Sequence, residues 1–218
     1  MKDSDIHSVI KILKKETKNW DVPIVTLMAE TSHDPFRVLI STILSLRTLD
    51  TTTAKVSKRL FELADTPRDM LNLSVSEIEK AIFPVGFYKT KARTIFYICR
   101  ELVEKYNSKV PDDLDELLKL KGVGRKTANL VVTLGYGKPG ICVDTHVHRI
   151  SNRLGYIKTG TPYETEMALR EKLPKKYWIE YNDLVVSFGQ HLCRPISPKC
   201  SECPIERYCE KVGVEKSR

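Results

Sequence analysis

Residues 118–129 read Leu118-Lys119-Leu120-Lys121-Gly122-Val123-Gly124-Arg125-Lys126-Thr127-Ala128-Asn129, and residues 143–149 read Val143-Asp144-Thr145-His146-Val147-His148-Arg149. The first stretch decides the fold. A helix with an apolar face (Leu114, Leu117, Leu118, Leu120) runs into Lys121-Gly122-Val123-Gly124, and a strongly apolar helix follows over 127–134. Two glycines around one apolar residue let the backbone turn sharply at positive φ. They also leave no side chain between the amides and an approaching ligand. Amides at Gly122 and Gly124, at the start of a helix, make an anion site. Lys119, Lys121, Arg125 and Lys126 surround it, and no acid occurs from 117 to 143. That is the pattern of a backbone-phosphate contact, which positions a protein without reading sequence.

Working outward, the periodicity is helical throughout. Ile6, Val9, Ile10 and Leu13 share one face over 5–17, with lysines opposite. Asp34-Pro35 pairs an N-cap with proline at the first helical position and opens a helix to about Leu46 that is apolar nearly all round, as befits the middle of a domain. Arg47-Thr48-Leu49-Asp50-Thr51 interrupts before another helix to about Ala64. Ser74-Val75-Ser76-Glu77 has capping-box spacing, and Pro84-Val85-Gly86 ends the helix it starts. Residues 89–106 turn Ile95, Ile98, Leu102 and Val103 inward, Thr161-Pro162 opens a further helix, and 178–192 is the last long one. No alternating strand pattern occurs, so the chain is predicted to be all-α with about ten helices.

The 218 residues suffice for a real core, and 41% hydrophobic with 29% charged residues are globular values. The net charge of +8 favours a polyanionic partner, either nucleic acid or an anionic membrane surface. No apolar run approaches a membrane span, and the polar start Met1-Lys2-Asp3-Ser4-Asp5 leads into no signal-peptide core, so an intracellular protein is expected. Its six cysteines are then read as thiols or metal ligands rather than disulfides.

Two side chains carry candidate chemistry. Lys126 sits in the first turn of its helix, among cations. A lysine is nucleophilic only as the neutral amine, which neighbouring positive charge and partial burial favour. The plainer alternative is one more phosphate-binding lysine. Asp144, eighteen positions later, precedes the next helix. An N-cap explains it, and a carboxylate held ionised by helix amides can also stabilise a cationic transition state. Near the C-terminus, Cys193-x6-Cys200-x2-Cys203-x5-Cys209 gathers four thiols in seventeen residues. Four thiolates close the shell of a tetrahedral zinc or of a cubane iron–sulfur cluster. Cys99 and Cys142 stand outside this set, among apolar neighbours that suggest buried packing.

The glycine hairpin, the Val-Asp-Thr-His segment and the cysteine spacing together resemble the endonuclease III family of helix-hairpin-helix DNA glycosylases, from about residue 30 to Cys209. The resemblance implies a two-domain all-α fold: a six-helix barrel domain with the hairpin (28–138), and an iron–sulfur domain joining 1–27 to 139–218. Between them the family holds duplex DNA with the damaged base flipped out. It implies a [4Fe–4S] cluster on Cys193, Cys200, Cys203 and Cys209. It implies that Lys126 attacks the anomeric carbon of the damaged nucleotide with Asp144 assisting, after which an imine forms and β-elimination cuts the strand 3′ to the site. Such an enzyme is a bifunctional base-excision glycosylase and abasic-site lyase for oxidised pyrimidines such as thymine glycol, expected as a cytoplasmic or nucleoid-associated monomer. Monofunctional relatives lack the lysine.

Departures leave other readings open. Arg47 stands where the family usually has a glutamine that fills the gap left by the flipped nucleotide, which puts opposite-base preference in question. Phe87 matches a leucine that inserts into the duplex, and Lys121 replaces a common proline. His146, beside the catalytic aspartate, is a candidate phosphate contact. The DNA-binding set is therefore Arg47, Phe87, Lys121, Gly122, Val123, Gly124, Arg125 and His146. The alternatives are a uracil or thymine mismatch glycosylase with lyase activity, and a non-catalytic DNA-binding protein.

Overall fold

The computed structural model describes residues 1–20, 24–26, 29 and 34–218. The predicted domain boundary at 27/28 lies outside the described residues. The chain divides into two compact units, one of Ile24–Lys138, the other of Met1–Pro23 with Pro139–Arg218. The fold is all-α, with no strand among the described residues.

In the first unit, α2 (Pro35–Ser45) is the hub, following α1 (Ile6–Glu16) of the other unit. Asp34 caps α2 by accepting from the Phe36 N–H at 2.9 Å, and Phe36 and every residue from Val38 to Leu44 are buried. A helix apolar on all sides has to be surrounded. Against it pack α3 (Asp50–Leu63), α6 (Tyr88–Lys105) and α8 (Arg125–Leu130) with its continuation Val131–Gly135. Between them come α4 (Pro67–Leu71), α5 (Val75–Ile82) and α7 (Leu114–Lys119). Ser74 and Glu77 close the predicted capping box. The turn Val131–Gly135 is π-helical, a widening absent from the sequence expectation; Thr133 bonds back to the Asn129 carbonyl at 2.8 Å there. On α6 the inward residues are Ile95, Ile98 and Leu102 as expected, but Val103 is only half-buried and Lys91 takes a core position.

In the second unit, α1 buries Ile6, Val9, Ile10 and Leu13 as its periodicity predicts, and packs on α11 (Trp178–His191). The helix α9 (Thr145–Arg153) packs on α11 and on α10 (Pro162–Lys172). Close approach of α9 and α11 depends on Gly189. A Cβ there would lie 2.4 Å from His146 Nδ1 and 2.9 Å from Ile150 Cδ1. Beyond α11 the chain forms only two single 3-10 turns, Cys200–Glu202 and Glu206–Tyr208.

Candidate functional site

Of the two hairpin glycines, only Gly122 uses the left-handed region, at φ +93°, and a Cβ there would stand 2.5 Å from Thr94 Cγ2 on α6. It is therefore required twice, by conformation and by space. Gly124 differs from expectation. Its φ of −95° is ordinary extended backbone, because it is the N-cap of α8, a position that is extended by nature. A Cβ on Gly124 would meet nothing within 4 Å, so its effect is to leave the face in front of the helix start bare. Val123 is buried in the core, which anchors the turn; any contact it makes with a ligand runs through its main chain. Lys121 is exposed, and Arg125 and Lys126 are half-buried at the first two positions of α8. Lys119, the fourth cation of the sequence pattern, pairs with Glu116.

Earlier in the chain, the loop between α2 and α3 carries Arg47 at φ +55°, and Phe87, the N-cap of α6, sits at φ +59°. Both are exposed, and the Arg47 guanidinium lies over the Phe87 ring, 5.0 Å from its centroid. Bulky residues in the left-handed region cost roughly 1–2 kcal/mol each, so surrounding structure must hold them. Two features do so. Gly86 lets the loop come close, since a Cβ on it would be 2.8 Å from the Arg47 carbonyl oxygen. Lys91 reaches up from the core, and its Nζ donates to the Leu44 carbonyl at 2.8 Å, the Leu46 carbonyl at 2.5 Å and Thr48 Oγ1 at 3.2 Å. Burial pushes its ammonium down to about 8. The sequence did carry a signal for Lys91: it falls at the inward spacing of Ile95, Ile98 and Leu102, where a lysine needs partners.

In the other unit, Asp144 caps α9. Its Oδ1 accepts from the His146 N–H at 2.8 Å and the Val147 N–H at 2.9 Å. These bonds satisfy two of the amides that the helix start leaves open. The His146 ring turns along the helix to Arg149, whose Nη2 is 3.2 Å from its Nδ1 and donates to the Cys193 carbonyl at 2.8 Å. His148 instead meets Thr165 Oγ1, at 2.7 Å. At the far end of α9, Arg153 donates to the Arg194 and Pro195 carbonyls, each at 2.6 Å, and approaches Cys193 Sγ at 3.6 Å. Sequence reasoning passed over both arginines.

Cys193, Cys200, Cys203 and Cys209 line one cavity, walled otherwise by Ile150, Leu154, Phe188 and Leu192. Among the described residues no three His, Cys, Asp or Glu form a group that could hold a single metal ion. Burial pushes the Cys203 thiol up to about 11, and the charges of the other three cysteines add to the rise, which measures how closely they gather. The Lys211 N–H donates to Cys209 Sγ at 3.3 Å. Thiols this buried ionise only against a strong positive centre, so the donor set suits a thiolate-bound metal group. Cys99 and Cys142 are buried elsewhere, and burial pushes Cys99 up to about 12.

Residues 40–175 match the family model described as HhH-GPD superfamily base excision DNA repair protein. The chain is 53% identical over 177 residues to Endonuclease III of Thermotoga maritima, covering 81% of this chain and 83% of that protein. It is 38% identical over 179 residues to Endonuclease III of Bacillus subtilis, covering 82% of each. Among solved structures it is similar to a trapped Endonuclease III–DNA covalent intermediate, with a TM-score of 0.86 and 38% identity over 97% of both chains. It is also similar to a thermostable thymine-DNA glycosylase, with a TM-score of 0.82 and 26% identity over 96% of this chain and 95% of that one.

Proposed function

We propose, from the premise that this chain belongs to the HhH-GPD superfamily of base excision DNA repair proteins, that it removes oxidised pyrimidines from duplex DNA and cuts the strand through an imine on Lys126. It is a DNA glycosylase and abasic-site lyase that binds damaged double-stranded DNA. The non-catalytic alternative falls with that membership. The observation that carries the lysine chemistry is the likeness, over nearly the whole chain, to a relative trapped covalently on DNA. A covalent complex needs a protein nucleophile, and Lys126 is the amine at the mouth of the hairpin.

The neutral Lys126 Nζ attacks C1′ of the flipped nucleotide as the C1′–N bond breaks. The base leaves with that electron pair and takes a proton. Asp144, oriented by two amides, stabilises the positive charge developing on the sugar and accepts the proton that nitrogen sheds on forming its new bond. The nitrogen lone pair then forms the protonated imine as the C1′–O4′ bond breaks, and O4′ takes the proton that Asp144 holds, which opens the sugar ring. That cation acidifies the C2′ hydrogens. Loss of one places an electron pair between C2′ and C3′, and the 3′ phosphate departs. Water then hydrolyses the imine and restores the amine. Gly122, Gly124, Lys121 and Arg125 hold backbone phosphate, with Val123 anchoring the turn from the core, while Arg47 and Phe87 occupy the space the nucleotide vacates and His146 faces the same backbone. The enzyme works as a monomer in the cytoplasm or nucleoid.

Cys193, Cys200, Cys203 and Cys209 hold a [4Fe–4S] cluster in this reading. A cubane offers each thiolate its own iron corner, which suits four sulfurs ringing a cavity. When bound it supplies a cross-link with every corner taken and no open position for substrate. The Arg47 substitution keeps a second reading in play, mismatched thymine or uracil as substrate, and the 26% identical thymine-DNA glycosylase is the observation in its favour.

The deciding experiment offers the purified protein duplexes bearing thymine glycol, an abasic site, or a T·G or U·G mismatch, adds borohydride and looks for a covalent adduct, with Lys126→Gln as control. Adducts on thymine glycol and the abasic site, absent in the variant, are expected. Adducts on the mismatches alone would move the substrate to the second reading. Trapping that survives Lys126→Gln would place the imine on another amine.

A further inference from the structure

Arg47 and Phe87 are forty residues apart in sequence, yet form one exposed surface element in the first unit. Neither holds itself. Both are left-handed without being glycine, and the loop carrying Arg47 has no regular structure between Ser45 and Asp50. That loop closes with a Thr48 N–H to Ser45 carbonyl bond at 3.1 Å, and a buried ammonium ties it to the core. Lys91 Nζ bonds on both sides of Arg47, to the Leu46 carbonyl before it and to Thr48 Oγ1 after it, and also to the Leu44 carbonyl in the last turn of α2. A cation there satisfies carbonyls that a helix end leaves open and meets the negative end of the helix dipole. The same residue is tied to the other arm, for its own N–H donates at 3.0 Å to the carbonyl of Phe87, one turn up α6. Lys91 is 7% exposed, too deep to reach nucleic acid itself.

We propose that Lys91 is a positioning residue for opposite-base discrimination: its three hydrogen bonds preset Arg47 against Phe87, so that the pair meets the unpaired base as one rigid guanidinium-and-ring plane. The inference rests on the reading of Arg47 and Phe87 as occupants of the vacated space. A guanidinium on two free rotors would adapt to any opposite base. One stacked on a ring with its backbone clamped presents its donors in one direction and discriminates among purine edges. The clamp thus turns a flexible residue into a selective one, and it acts from 45 and 43 positions away in sequence, on Leu46 and Thr48 respectively.

The test is a double-mutant cycle on single-turnover base excision, with the same lesion placed opposite adenine and opposite guanine. Arg47→Ala sets the scale. Lys91→Met keeps the length of the stem and removes the donors, and Thr48→Val removes one acceptor, with its own hydroxyl bond to the Leu46 carbonyl, while leaving the buried ammonium in place. The expected result is a change of about tenfold in the adenine-to-guanine rate ratio for Lys91→Met, the size of one or two charge-assisted hydrogen bonds. Thr48→Val should change it in the same direction by less. Lys91→Met in the Arg47→Ala background should change it no further. Lys91→Arg, which keeps a buried cation, should restore part of the ratio. A lower melting temperature with an unaltered ratio in both Lys91→Met and Thr48→Val would overturn the proposal and leave Lys91 a structural residue. Additive effects of Lys91→Met and Arg47→Ala would overturn it too. An unaltered ratio in Arg47→Ala itself would sink the underlying reading of Arg47, and this inference with it; a normal borohydride adduct in that variant would show that the lysine chemistry stands regardless.

Discussion

Replacing Asp144 separates its observed duty as a helix cap from the catalytic duty proposed for it. As an N-cap, its Oδ1 holds the His146 and Val147 amides at 2.8 and 2.9 Å. Removing such a cap costs about 1 kcal/mol, and loss of the charge at the helix start adds roughly 0.3–1 kcal/mol. Asp144→Ala should therefore lower stability by about 1–2 kcal/mol. At roughly 2–4 °C per kcal/mol for a chain of this size, the melting temperature falls by about 2–8 °C. Asp144→Asn keeps an acceptor of the same shape and gives up only the charge, so its melting temperature should fall by no more than about 3 °C. The proposed catalytic duty depends on the charge alone. A carboxylate about 4 Å from a developing sugar cation, at an effective dielectric near 20, is worth about 4 kcal/mol, or on the order of a thousandfold in rate. Single-turnover excision under enzyme excess should thus fall at least a hundredfold in both variants, although only one is appreciably less stable. An Asn variant within threefold of the parent rate would leave Asp144 a cap and nothing more. An Asn variant as unstable as the Ala variant would show that the cap works through charge, and the argument from separable duties would fail.

The hairpin glycines should part company in the same way. Gly122→Ala forces a side chain to φ +93° and to within 2.5 Å of Thr94, so it should destabilise the chain by at least about 1–2 kcal/mol in denaturant titrations. Gly124→Ala meets empty space and should fold normally, yet bind abasic duplex several-fold more weakly in fluorescence anisotropy, because its methyl covers the amides. Equal stability losses for the two would contradict the geometry. For Lys91, burial depresses the folded value to about 8 against about 10.4 in an unfolded chain. From about pH 8 to 10.4 the unfolded state then holds the extra proton, so this group makes the fold more stable as pH rises, by at most about 3 kcal/mol. Subtracting the Lys91→Met profile from that of the parent should isolate the rise; a flat difference would put the ammonium back in solvent. Arg153→Met removes the donors to the Arg194 and Pro195 carbonyls. It should lower the iron bound per chain and speed proteolysis within 193–209, whereas unchanged iron content would show that the cysteines hold the loop unaided.

Local signals were legible because each acts within one turn of helix. Asp34, Ser74 with Glu77, Asp144 and Thr161 all cap the helices that their spacing announces. The inward stripe of α1 is the one its periodicity gives. Pro67–Leu71 escaped because five residues are too few to show a period, although Thr66-Pro67 is a cap signal in hindsight. The π turn after Leu130 escaped because an apolar run looks the same at either pitch. The contact of Arg47 with Phe87 was beyond reach for a different reason. Each was chosen singly by resemblance, but left-handed backbone at a non-glycine residue leaves no mark in sequence, and neither does a lysine's choice of carbonyls across 45 positions.

The cysteine region has the inverse problem. Residues 193–209 contain no helix longer than a single 3-10 turn, and of their side chains only Pro198 and Ile205 are buried. A segment so poor in apolar burial does not order itself against the conformational entropy of roughly 1–2 kcal/mol per residue. Its conformation is held from outside, through Arg149 on the Cys193 carbonyl and Arg153 on the next two carbonyls, and through whatever the four sulfurs bind. Both arginines belong to α9, the helix that Asp144 caps. The bonds therefore run in two directions: they order the loop, and they hold the far end of the helix that carries the carboxylate. In the proposed mechanism a cluster with no open position would still bear on catalysis, because loosening the loop frees α9 at one end while Asp144 must stay placed at the other.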